Sequence, residues 1–110
     1  MKAASANLPA VKVNTTFEGF SLRFKYKDNY VDFSNSLIIF EVMPVNSNVV
    51  SLKYTSDDKI VLSENNTKAT LLPFLVKIPV NKYRFKIVIN SKIDPEISFE
   101  YLNGNWAVTQ

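Results

Sequence analysis

"SLRFKYK" (Ser21–Lys27) sets Leu22, Phe24 and Tyr26 in strict alternation with Ser21, Arg23, Lys25 and Lys27. A period of two turns successive side chains to opposite faces of a strand. The rings and the leucine therefore share one face, and the cations share the other. A nucleic-acid-binding sheet needs its stacking rings on the same exposed face as its charges. The pattern reads instead as a strand with a packed apolar face and a solvated basic one. "YRFKIVIN" (Tyr83–Asn90) repeats it, with Tyr83, Phe85, Ile87 and Ile89 inward and Arg84 and Lys86 outward.

Outward from these ribbons, the pattern predicts a strand over 17–27, ended by the turn cluster Lys27-Asp28-Asn29. "YVDFSNS" follows as a short extended piece with Val31 and Phe33 around Asp32. "LIIFEVM" (Leu37–Met43) is apolar on both alternating faces except at Glu41, which marks a central strand covered on both sides and ended by Pro44. "VVSLKY" (Val49–Tyr54), "IVL" (Ile60–Leu62) and "KATLL" (Lys68–Leu72) are further strands, with the polar turns "TSDDK" and "ENN" between them. "PFLVKIP" (Pro73–Pro79) is the one segment where a single helical turn could sit.

The loop "SKIDPE" leads to "ISFEYL" (Ile97–Leu102) and then to Asn103-Gly104, a hairpin signal. Phe99 and Tyr101 stand at odd positions, however, and Trp106 and Val108 at even ones. A β-bulge near Gly104 inside one long strand explains that change of phase. About seven or eight short strands, short turns and no crossover helices give an all-β fold. The expected architecture is an antiparallel, immunoglobulin-like β-sandwich, with a small barrel as the competing closure. Residues 1–16, small and polar with Pro9, precede it as an extended arm, and residues 17–110 form the sandwich domain.

The 110 residues suffice for one core. A hydrophobic share of 46% beside 21% charged residues is the balance of a globular domain. With no Cys and no His, the chain has no disulfide, thiolate nucleophile, Cys/His zinc site or imidazole base. The net charge of +3 is only mildly basic, and Lys outnumbers Arg, the residue best suited to bidentate phosphate or guanine contacts. The opening ten residues lack the apolar run of a secretory signal, and no stretch reaches the roughly 20 apolar residues of a membrane span.

Asp57-Asp58, Asp94 and Glu96 lie in turns, where Asp bonds its own backbone; their spacing fits neither a paired-carboxylate hydrolase nor a calcium loop. Ser and Thr have no evident base. The expectation is a non-enzymatic protein without a cofactor or metal. Tyr30, Phe33 and Phe74 lie near loops and offer an interface patch, or else cap the open ends of the sandwich. Leu8, Val11 and Val13 in the arm are the other interface candidates, because an unpacked segment can add a strand to a neighbour's sheet edge; the plain alternative is a disordered terminus.

Laid out in this order, "GFSLRFKYKDNYVDFSNSLIIFEVMP" resembles the β-sandwich module at the amino end of tailed-phage upper baseplate and tail-fibre proteins. "FKYKDN" matches that family's aromatic strand and turn, "YVDFSNS" its following Asp-containing segment, and "LIIFEVM" its next strand. "IPVNKYRFKIVINSKIDPEISFEYLNGNWAV" is similar to its closing strands, with Gly104 at an internal glycine. Asn29-Tyr30, Asn81 and Ile87-Val88 depart from the family's Gly, Gly and Asp.

The resemblance implies a virion structural or adaptor module that assembles in several copies with other virion proteins in the host cytoplasm, without the downstream fibre of larger members. A capsid decoration protein is the nearest alternative. A single-stranded nucleic-acid-binding barrel and a carbohydrate-binding module follow it.

Overall fold

The computed structural model describes residues 4–94 and 96–110, and every regular element among them is a strand. In chain order these are β1 (Ala4–Ser5), β2 (Val11–Lys12), β3 (Thr16–Phe17), β4 (Phe20–Leu22), β5 (Lys25–Tyr26), β6 (Asn29–Tyr30) and β7 (Ser36–Pro44). They continue as β8 (Leu52–Thr55), β9 (Ile60–Ser63), β10 (Lys68–Leu71), β11 (Phe74–Leu75), β12 (Asn81–Ser91) and β13 (Ser98–Thr109). Residues 1–3 of the expected arm and the inward direction expected for the Tyr26 side chain lie outside the described residues.

The frame is β7, β12 and β13. β12 pairs antiparallel with both neighbours, so its Ile87 faces Phe40 on one side and Leu102 on the other. β8 extends this sheet beyond β7, and β1 and β2 both lie parallel along the far edge of β13. Over this sheet lies a second layer, β4-β10-β9, with the small pairs β3–β11 and β5–β6 beside it. The molecule is therefore all-β, with sandwich-like layering of antiparallel sheets; the arm strands alone pair in parallel.

The two layers close on one aromatic-rich core. Tyr83, Phe85, Ile87 and Ile89 are all at most 5% exposed, as the alternation in β12 requires. From the second layer and its flank, Phe17 meets Trp106 at 5.0 Å between ring centroids and Phe20 meets Phe40 at 5.9 Å. Burying side chains of this size contributes about 1.5–3 kcal/mol each. A space of only about 10 Å³ lies between the layers, lined by residues such as Phe20, Ile38, Phe40 and Ile87. That is too small for a bound molecule.

β7 carries buried residues on both faces, Ile38, Phe40 and Val42 toward the core and Ile39 and Met43 away from it, as its apolar run predicts. Other segments depart from expectation. The strand expected over 17–27 is broken into β3, β4 and β5, because Gly19 sits at φ +77° and a Cβ there would collide with the Leu71 carbonyl oxygen. The chain bends at that point and changes partner from β11 to β10. Val49 and Val50 precede β8 and are exposed. "PFLVKIP" contains no helical turn: β11 pairs with β3, and burial alternates through Phe74, Val76 and Ile78.

β13 runs unbroken through Asn103-Gly104, but its bulge is not at Gly104. Ile87 pairs with Leu102 and Val88 with Glu100, leaving Tyr101 as the extra residue. The phase change between Phe99 and Trp106 arises there, and Gly104 has a different role.

Candidate interaction surface

Gly104 marks where the arm, running parallel along β13, presses against it. A Cβ at this position would fall within the Ala6 carbonyl oxygen and 2.9 Å from Phe85 Cε1. The arm is threaded onto the strand on either side of that notch. The Ala6 and Leu8 amides donate to the Asn103 and Asn105 carbonyls at 2.9 and 3.0 Å, and Val13 donates to the Thr109 carbonyl at 2.8 Å. In the reverse direction, the Asn105 amide donates to Asn7 Oδ1 at 3.1 Å and Trp106 Nε1 to the Pro9 carbonyl at 3.0 Å. Ser5 Oγ donates to Asn103 Oδ1 at 2.9 Å, and Thr109 Oγ1 donates to the Val11 carbonyl at 3.4 Å. Pro9 has no N–H to leave unpaired at an edge, which suits it to the stretch between β1 and β2.

Leu8, Val11 and Val13 are half-buried and packed against the molecule's own core. The arm stands between concave spaces. One of about 390 Å³ lies over Leu8, Tyr83 and Trp106, and another of about 360 Å³ lies between Leu8–Val11 and Thr16–Phe20. A third, of about 680 Å³, continues from the first past Val45 and Lys82 to Pro44, Val80 and Val108.

The expected loop patch does not form. Tyr30 is 45% exposed, but Phe33 is fully buried against Phe24, and Phe74 is buried among Phe17, Tyr54 and Trp106. Period-two burial along 74–78 turns Phe74 inward, and the Phe33 amide is tied to the Asn66 carbonyl at 2.8 Å. One group of exposed apolar side chains stands at the end of the β12–β13 hairpin, where Ile93 is 76% exposed and Ile97 and Phe99 nearly half exposed. Phe99 leans on Tyr101, which stacks on Phe24 at 4.4 Å. Sequence reasoning missed this group because Phe99 alternates like an inward residue.

The four ribbon cations do not form one stripe. Arg84 and Lys86 are on β12, with the Arg84 guanidinium donating to the Ser47 carbonyl at 2.9 Å and to Asn48 Oδ1 at 2.6 Å. Lys86 stands in register with Glu41, which in turn faces Lys53. Arg23 and Lys25 belong to the opposite layer, where both lie over the Tyr30 ring at 5.1 and 5.0 Å and Arg23 is ion-paired with Glu64. Tyr30 is thus one exposed ring between cations, while Phe24 is half-buried and Phe85 buried.

The carboxylates serve turns. Asp58 Oδ1 accepts from the Thr55 amide at 2.8 Å and from the Lys59 amide, and Asp94 Oδ1 accepts from Glu96 at 3.1 Å. Asp32 accepts from the Ser34 amide, which holds its carboxyl below the ordinary value. Burial raises the hydroxyls of Tyr54 and Tyr83, with a further push on Tyr54 from Asp58. Among the described residues no three Asp or Glu converge as a metal site would need, and no helix is long and apolar enough to cross a membrane. No family model matches the chain, and no curated protein matches it either.

Proposed function

We propose that this chain is a non-enzymatic structural or adaptor module of a tailed-bacteriophage virion, a tail, baseplate or fibre-attachment component that works by multi-copy protein–protein assembly. The observation that carries the reading is the arm, an extended segment seated on a sheet edge by backbone bonds, the mode by which one chain adds a strand to another. The exposed Ile93, Ile97 and Phe99 at one end, and Val45 and Val80 at the other, supply apolar surface for further contacts. The ribbon and turn motifs that resemble the phage modules give the reading its virion setting.

The finer fold in this proposal is immunoglobulin-like. β4, β10 and β9 correspond to strands B, E and D of that fold, and β7, β8, β12 and β13 to C, C′, F and G. Among the described residues, the strands of three or more residues are these seven. The Tyr83 hydroxyl donates to the Pro79 carbonyl at 2.5 Å, four residues upstream at the start of strand F, as the tyrosine corner of such sandwiches does.

Light scattering of the full chain across a concentration series tests assembly. The expected result is particles of several copies of the 12.5 kDa chain, reduced on deletion of residues 1–13. Identical masses for both chains would remove the arm from the account. Mass spectrometry of separated virion heads and tails tests the setting: recovery in tails agrees with it, and recovery in heads would favour a capsid decoration role.

A further inference from the structure

We propose that the notched edge of β13 accepts the arm of a second copy, so that neighbouring molecules exchange arms and each completes the other's sheet. This rests on the assembly reading and names its partner and its site. The arm reaches its seat across 98 residues of sequence and pairs in parallel, so no hairpin ties it to β13. Every bond that holds it, from Ser5 to Val13, joins arm to β13 and forms equally well between two chains. The Gly104 notch and the Trp106 N–H are shaped for this arm, which identifies the occupant as another copy of the same chain.

The closed and exchanged forms differ only where the arm turns back into β3. There Asn14 lies at φ +63°, and the Thr15 amide and hydroxyl both donate to the Lys12 carbonyl, at 3.3 and 2.6 Å. Opening that turn releases a left-handed residue and breaks those two bonds. A tethered arm competes with an effective concentration on the order of millimolar. Exchange therefore stays minor in dilute solution and becomes favoured where copies are crowded, as in an assembling particle.

The chain has no cysteine, so engineered thiols report without background. Full-length Ser5→Cys and Asn103→Cys chains, positions paired in register, are mixed at millimolar concentration, incubated and oxidised. The expected product is a disulfide joining position 5 of one chain to position 103 of the other, rising with concentration. Asn14→Gly, which relaxes the closed turn, lowers the yield about tenfold. Asn14→Pro, which cannot hold a positive φ, raises it. The double variant Ser5→Cys/Asn103→Cys in dilute solution should close internally, verifying that the arm docks. Oligomers without the 5–103 link would overturn exchange and leave assembly standing. A chain that remains monomeric at every concentration would overturn both.

Discussion

Gly104 and Gly19, the chain's two glycines, each leave out a Cβ that would strike a carbonyl oxygen, of Ala6 and of Leu71 respectively. Gly104→Ala should lift the arm from β13 and lower the unfolding free energy by about 2 kcal/mol, the range of overpacking at a tight contact. Urea denaturation measures the loss, and the emission of Trp106, the chain's one Trp, should move to longer wavelength as its cover departs. Tyr83 makes a second residue-level prediction. Its folded hydroxyl holds the proton above the ordinary value of 10.0, so the associated stability is whole below pH 10 and is lost as pH rises through the folded value. Tyr83→Phe should remove this residue's part of the alkaline decline in urea midpoint. At neutral pH it should lower stability by about 1 kcal/mol through the lost bond to Pro79.

At the scale of elements, strands with one clean period were legible. The inward set of β12 follows from alternation alone, and β7 from an apolar run interrupted only at Glu41, which marks a strand covered on both faces. The segment 17–27 was legible only in part: Phe20, Leu22 and Phe24 alternate, but Phe17 is out of phase with them, and the break falls at Gly19, where the backbone turns and changes partner. The bulge in β13 was legible as a phase change but not in position. Periodicity shows that the phase has changed between Phe99 and Trp106, and only the register against β12 identifies Tyr101. The β5–β6 hairpin places Lys27 and Asp28 at φ 51° and 66°, a two-residue turn with both residues left-handed. Asp28→Gly should therefore raise stability by about 0.5 kcal/mol, read as a higher urea midpoint with an unchanged slope.

For the whole molecule, the distribution of charge decides between kinds of partner. Arg84 and Lys86 lie on one layer and Arg23 and Lys25 on the other, so these four cations form no single track along which a nucleic-acid backbone could lie. Anisotropy of a labelled single-stranded oligonucleotide at low salt should stay flat at micromolar protein, whereas steep salt-dependent binding would favour the nucleic-acid alternative. The arm's seat is the feature least legible in the sequence. Leu8, Val11 and Val13 stood out as apolar residues in a polar segment, but nothing local links them to Gly104 and Trp106 near the other end. Docking of the arm depends on that link. Hydrogen exchange of the full chain, resolved by residue, tests it most directly. The Ala6, Leu8 and Val13 amides and the Trp106 indole N–H should exchange at least about a hundredfold more slowly than in a free peptide. Exchange of the arm amides at free-peptide rates would contradict it.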